Sequence, residues 1–480
     1  MLISLIPCQL GALFHIGSDP YLDFTRMADK YGQVYSMWLG SRLVVVLNGA
    51  KTIRNALQKR SLIFAGRPSF HTFKILSGHN SGLVFSDYSR RWAIVKKVCS
   101  TAIHRYVTTP DLLESKLEEE CHRLLNFFKE QRGKPFDPCF ILRMALANVI
   151  LKVIFDTTFH YDHKELREIL EISDAFRDSL GPGKAIDFLP WFRFFPSKDL
   201  IQLNLLYAKL MCLIKKLFIE NRATYNDGKI RNLADSLEKV IEMETKKSLE
   251  NGTVLEFDES VSLWSLFDMF GAGFDTTAVM LLWSIGYLVK YKHVQYAIQA
   301  EIDSVIGNER VTMKNVKQLH FLRATVYELL RITSISTMSV PHSTTADTNI
   351  AGYSIPKGTV IFPNLWSASH DPNEWENPEV FNPQRFLDDQ GHVVQVDTNP
   401  NFIVFSAGRR KCPGSELAVL EMSMFLATLL QSCRFTQEGL ESKYQGIELT
   451  PIAGLTNKPR TFYINVEVRK EDERSKRCKA

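Results

Sequence analysis

The sequence predicts one large, mainly α-helical domain with a small β subregion. Three observations predict it. Apolar residues recur at helical spacing over long windows, notably 112–130, 140–155, 164–180, 197–224, 259–292, 296–306 and 318–334. Short β-like runs sit near both ends, Arg42-Leu-Val-Val-Val-Leu-Asn-Gly and Thr461-Phe-Tyr-Ile-Asn-Val-Glu-Val. No linker and no internal repeat divides the 480 residues, so the length prior of two or three domains gives way to a single unit.

At the start, Met1–Leu10 is apolar but shorter than the roughly 20 residues a spanning helix needs, and Pro7 interrupts it. It has no basic leader region and no small-residue cleavage site, so it does not read as a signal peptide. No other segment reads as a membrane span, and the sequence taken alone reads as soluble. The 45% hydrophobic and 23% charged residues are ordinary globular composition, with enough length for a large core. A net charge of +5 is too small to argue for nucleic acid. It suits an acidic partner or an anionic membrane surface. The eight cysteines are scattered with no Cys-x-x-Cys pair, which points away from zinc or a disulfide framework and toward a reducing compartment.

Residues 259–292 are long enough for one helix of about 50 Å. Gly271-Ala-Gly-Phe-Asp275-Thr276-Thr277 puts two glycines and three polar residues inside it. Glycine costs roughly 1 kcal/mol relative to alanine in a helix, and buried Asp and Thr need partners. A local kink with a polar groove is the expectation; a helix-packing notch is the plainer alternative. Glu328-Leu-Leu-Arg331 sets opposite charges three apart on one helix face. The pattern alone is weak, since Glu120 and Arg123 match it, and so do Glu471 and Arg474; those pairs read as solvated faces. The stretch 341–386 is rich in Pro, Asn and Asp and reads as turns and short strands.

Most of the chemistry lies in residues 405–414, Phe-Ser-Ala-Gly-Arg-Arg-Lys-Cys-Pro-Gly. Glycines let the backbone approach a flat ligand closely. Pro413 suits the first position of a helix, and Ser415 to Leu420 continue as one. Cys412 is therefore expected at a helix N-terminus, where dipole and free N–H groups favour the thiolate. Such a thiolate is a ligand fit for heme iron.

Phe405-x-x-Gly408-x-Arg410-x-Cys412-x-Gly414 is also the heme-binding signature of the cytochrome P-450 monooxygenases, and the chain resembles that family from about residue 20 to 465. The resemblance implies a cytochrome P-450 fold over 21–468, with 1–20 resembling a remnant of an N-terminal hinge and 469–480 a charged tail. It implies heme b (iron protoporphyrin IX), with Cys412 as axial ligand and Phe405, Gly408 and Gly414 around it. Arg410, His342, Trp92 and Lys96 are the expected partners of the heme propionates. Lys96 stands where the family has arginine, which loses the planar fork. The plainer reading of Trp92 is a core aromatic.

The segment 272–277 matches the family's oxygen-binding motif, which makes Thr276 and Asp275 the catalytic pair for proton delivery. Glu328, Arg331 and Arg385 are the expected structural triad. Thr337 replaces a proline common in the family, and Thr337–Val340 are expected to line the cavity beside the heme.

The implied reaction inserts one atom of dioxygen into an apolar organic substrate, with electrons from NADPH-cytochrome P-450 reductase and cytochrome b5 as a second donor. Basic residues Arg90, Arg91, Lys96, Lys97 and Arg409–Lys411 offer an acidic reductase a docking face. Within the family the chain looks like the animal microsomal group that hydroxylates steroids and xenobiotics. This implies the cytosolic face of the endoplasmic reticulum membrane, with an anchor absent from this chain. The aromatic run 188–196 is the candidate lipid contact. An isomerase or dehydratase acting on a peroxide, and a non-catalytic heme sensor, are the alternatives. The first would not need Asp275 and Thr276, and the second would present no electron-donor surface.

Overall fold

The computed structural model describes residues 11–179, 185–194, 198–225, 229–252, 257–441, 444 and 446–469. Helices carry most of them: α1 (Pro20–Tyr31), α2 (Arg90–Thr108), α3 (Pro110–Glu130), α4 (Cys139–Phe155), α5 (Lys164–Ser179), α6 (Lys198–Ala223), α7 (Leu233–Glu250), α8 (Glu259–Lys290), α9 (Lys292–Val305), α10 (His320–Thr333) and α11 (Ser415–Ser432). The starts follow their sequence signals. Ser89 caps α2 by accepting from the Trp92 amide, and Asp258 caps α8 by accepting from Val261.

Helix α4 is apolar nearly all round, as a fully enclosed helix must be, and is buried almost continuously from Ile141 to Phe155. It packs along α8, whose C-terminal half from Thr277 to Val289 is buried without a gap. By length and composition α8 also passes as a membrane span. However, 78% of its apolar window is buried inside the protein, which marks a core helix. Helix α11 lies against both α8 and α10, so the segment after Cys412 is tied to the centre of the fold.

The β subregion is small. β1 (Val34–Leu39) pairs antiparallel with β2 (Arg42–Leu47). In chain order β3 (His342–Ser343) and β4 (Val360–Pro363) follow, and β4 joins β2 in parallel, Val45 opposite Ile361. β3 closes the sheet against β4, with His342 opposite Ile361, which brings His342 inward. β5 (Cys433–Thr436) pairs with β6 (Asn465–Val468).

Three expectations need correction. The backbone of α8 is helical throughout, with no break at Gly271–Thr277. The two threonine hydroxyls return to the helix's own carbonyls, Thr276 to Ala272 at 2.7 Å and Thr277 to Gly273 at 3.2 Å, so no backbone group is released. Glu120 is not on a solvated face: it is 2% exposed and is held by the Tyr161 hydroxyl at 2.5 Å. Pro413 is not helical, because α11 begins at Ser415 with Gly414 as its cap. The expectations for residues 1–10, for Phe195 and Pro196, and for Glu471 and Arg474 in the tail lie outside the described residues.

Candidate active site

Cys412 sits in the turn just ahead of α11. Its amide donates to the Phe405 carbonyl at 3.0 Å, which closes the loop 405–412 into a fixed ring of backbone. Gly408 makes the ring possible. It has φ +69, and a Cβ there would meet the Leu57 carbonyl oxygen at 1.6 Å. At Gly414 a Cβ would meet nothing within 4 Å. Burial pushes the Cys412 thiol up. The Gly414 amide, Lys96 and Lys411 oppose that and favour the thiolate. The helix dipole alone does not decide the protonation state here. A metal ion bound at the sulfur would, since a coordinating thiol is deprotonated outright.

A heme fits these residues on three observations. The first is that Cys412 and, halfway along the buried helix α8, Ala272 are both exposed although they lie in the interior of the chain's fold. The second is the donor set, a lone thiol with a backbone N–H on its sulfur. The third is an unusual gathering of cations. Burial lowers the Arg410 guanidinium to about 9 and lowers Arg67 strongly, with the Arg410 charge adding to the effect on Arg67. His342 lies in the field of both arginines. Its Nδ1 meets the Phe64 carbonyl at 2.6 Å and its buried Nε2 has no partner.

Backbone carbonyls, not carboxylates, hold both arginines. Arg410 donates to Ala65, Leu83 and Ser86, and Arg67 to Val84, Val340 and Pro341. Asp87, which accepts from the Arg67 amide at 2.9 Å, is the carboxylate whose charge supports both guanidinium groups, and buried cations so sparsely compensated suit a dianionic ligand.

The remaining expected residues gather here too. Arg410 lies over the Trp92 ring at 4.0 Å, while the Trp92 indole N–H donates to the Leu83 carbonyl at 2.8 Å. Trp92 is thus both a core aromatic and a platform for Arg410. Lys96 reaches the Lys411 carbonyl at 2.8 Å, and burial lowers its ammonium to about 8. Glu328 and Arg331 are fully buried and paired through both carboxylate oxygens at 2.7 and 2.8 Å. Arg385 joins at 3.4 Å. The Asn382 amide also donates to Glu328. This triad anchors α10 to the segment 377–386.

On α8, the packing-notch reading holds for one glycine and not for the other. At Gly273 a Cβ would crowd Ile150 of α4 at 2.8 Å; at Gly271 nothing lies within 4 Å. The close approach at Gly273 brings α4 near enough for Arg143 Nε to stand 3.2 Å from the Asp275 carboxylate. Thr276 already spends its proton on Ala272, so in this state its oxygen is available only as an acceptor. Thr337 is buried, and its carbonyl accepts from the Trp366 amide.

Sequence reasoning missed three residues. Arg67 follows Gly66 and precedes Pro68, a turn pattern that carries no hint of a partner near residue 340. Arg143 is a cation in the middle of an apolar helix whose other cation, Lys152, stands near its end, and that setting is itself a signal that it is paired. Asp268 is an acid in an apolar helix, and burial raises it to about 7. It accepts from the Leu83 and Val84 amides at 2.6 and 2.8 Å, fixing the very loop whose carbonyls hold Trp92 and Arg410.

Comparison with known proteins agrees with this geometry. A family model described as Cytochrome P450 matches residues 6–466. Cytochrome P450 1A5 of Gallus gallus is 34% identical over 463 residues, covering 94% of this chain and 86% of its own length. Cytochrome P450 1A1 of Chelon auratus is 33% identical over 470 residues, covering 96% and 89%. Cytochrome P450 1A1 of Rattus norvegicus is 33% identical over 471 residues, covering 96% and 88%.

Proposed function

Because the chain belongs to the cytochrome P450 family, we propose specific roles for its residues in the reaction that membership entails. The protein is a heme b monooxygenase that uses dioxygen and electrons from a redox partner. Heme, when bound, supplies the activation of dioxygen and its insertion into the substrate.

Cys412 would hold the heme iron through its sulfur, set at its position by the amides of Cys412 and Gly414. Arg410, Arg67 and Lys96 would neutralise the two propionates, with Trp92 beneath Arg410; His342 would join them only as the imidazolium, which its burial opposes. Phe405 and Gly408 shape the loop, and Gly414 leaves its face open. Thr276 would accept a hydrogen bond in the groove, and Asp275, beside Arg143, would relay the proton that follows. Arg143 is a positioning residue that keeps Asp275 oriented. The observation that carries this reading is Cys412, an exposed residue whose thiol is nevertheless raised by burial and meets the Gly414 backbone N–H.

The redox partner is an NADPH-dependent reductase, with cytochrome b5 as an additional donor. A cleft of about 310 Å³ opens on the Cys412 loop, lined by Arg54, Lys317, Arg323 and Lys411 and by the acids Asp397, paired with Lys411, and Glu416. The excess of basic residues suits an acidic docking face. The substrate is an apolar steroid, lipid or xenobiotic. Trp191, Phe192 and Phe194 are 50%, 38% and 74% exposed, which supports membrane contact and a place at the endoplasmic reticulum surface.

Turnover of a panel of steroids, fatty acids and planar aromatics, with reductase, NADPH and isotope-labelled dioxygen, tests this reading. One labelled oxygen per product molecule is expected from at least one class. Rearranged product without label, or no turnover with any reductase, contradicts it.

A further inference from the structure

The cleft of about 310 Å³ behind the Cys412 loop has two kinds of lining. One is apolar: Phe402 and Val419 are half-buried there and Leu420 is buried. The other is basic. Its two acids are already engaged, Asp397 with Lys411 at 3.2 Å and Glu416 with the His104 ring at 3.0 Å. Three cations are not. Among the described residues the Arg54 and Lys317 side chains meet no partner, and Arg323 donates only to the Lys317 carbonyl at 3.2 Å.

The cleft also holds a buried polar group without a partner. Tyr327 of α10 is 8% exposed and lines the cleft, its ring edge-on to Phe402 at 5.8 Å. Its hydroxyl makes no hydrogen bond among the described residues. Buried hydroxyl groups are normally paired, so this one takes its partner from whatever enters the cleft. Arg323 and Tyr327 stand four apart on α10 and share one helix face, so a single anion can reach both. The volume is at the lower end of the about 300–1,000 Å³ that encloses a small organic ligand. A neutral hydrocarbon would leave the cations and the hydroxyl unanswered. A polyanion would press charge onto the apolar wall.

We propose that this cleft is a binding site for a small apolar carboxylic acid, of roughly a dozen heavy atoms, taken as its carboxylate. The hydrocarbon body lies against Phe402, Val419 and Leu420. The carboxylate accepts from the Arg323 guanidinium and the Tyr327 hydroxyl, with Lys317 adding its charge. The inference deepens the docking reading given above and rests on it in one respect. A bound acid covers cations that an acidic redox partner would need, so ligand and reductase exclude each other.

The probe is 2-naphthoate, with its methyl ester as a control that has the same rings and no charge. Equilibrium dialysis against the heme-loaded protein is expected to give a Kd for 2-naphthoate below about 1 mM, in keeping with its size. Tyr327→Phe, which removes only the hydroxyl, should weaken that binding about fivefold, and Arg323→Gln about tenfold. The ester should bind the native protein and both variants alike. Should Arg323→Gln fail to accumulate, Lys317→Gln at an exposed position is read in its place. No binding of the acid up to about 1 mM overturns the proposal. So does equal affinity in native and variant proteins, which would put the acid elsewhere and leave the cleft to a side chain of the partner protein. With reductase titrated, the acid should raise the KM for reductase without lowering kcat, and the ester should not. Binding that the variants weaken, with no rise in that KM, supports the ligand site and rejects the docking face.

Discussion

Thr276→Ala is expected to bind heme and substrate as the native protein does, yet to form about 100-fold less product per NADPH, the low end for a positioned proton-transferring group. The missing electrons should appear as peroxide. The physical reason is local. Thr276 lies where α8 carries exposed surface, one turn from Ala272, and its hydroxyl is the hydrogen-bonding group presented there. Its back-bond to Ala272 costs the helix nothing when lost, so the fold should not register the change. Thr276→Ser, which restores the hydroxyl, should recover most of the coupling. NADPH consumed, product and peroxide measured together decide the matter. An unchanged product yield would remove Thr276 from proton delivery.

Arg331→Ala is expected to have the largest effect on stability. Arg331 and Glu328 are both 0% exposed, and Arg331 also donates to the Ser369 carbonyl and lies over the Trp375 ring. Removing the guanidinium leaves the Glu328 charge buried with only the more distant Arg385 and the Asn382 amide. Breaking a buried pair in this way costs about 3–5 kcal/mol. That is a large share of the roughly 5–15 kcal/mol by which folded domains persist. Arg331→Lys keeps the charge but loses the fork, so it should fall between the two. Arg385→Ala should cost less, because Arg385 contacts Glu328 at 3.4 Å and is partly exposed. Urea titration of the three variants, with heme content measured on each, gives the ranking. An Arg331→Ala midpoint equal to the native one would make the triad dispensable.

Much of this was legible in the residues because the signals are local. Apolar spacing marks α3 to α6 and α8 to α10 within a few residues of their ends, and the 405–414 loop singles out Cys412 as the candidate ligand. What stayed hidden depends on partners far along the chain. β1 and β2 pair across a two-residue turn, yet only β2 is a continuous apolar run; in β1, Trp38 is exposed and Ser36 only half-buried. Arg67 is held from residues 84, 340 and 341, and Asp268 from residues 83 and 84. Arg143 meets Asp275 only because Gly273 lets α4 and α8 close up. Glu120 looked like a surface charge because a pattern of charges three apart cannot distinguish a solvated face from one covered by Tyr161 and Asn148. Cys412 shows the reverse limit. Its position reads from sequence, but its protonation reflects burial, which the sequence does not display.

The central claim is that Cys412, and no other cysteine, holds the heme iron. The most direct measurement is the absorption spectrum of the reduced carbon monoxide complex in Cys412→Ala, compared with Cys99→Ala and Cys433→Ala, whose sulfurs are buried in the core. The account predicts that the thiolate-specific band is present in the native protein and both core variants and absent from Cys412→Ala. A Cys412→Ala protein that keeps the band, while another cysteine variant loses it, would contradict the account.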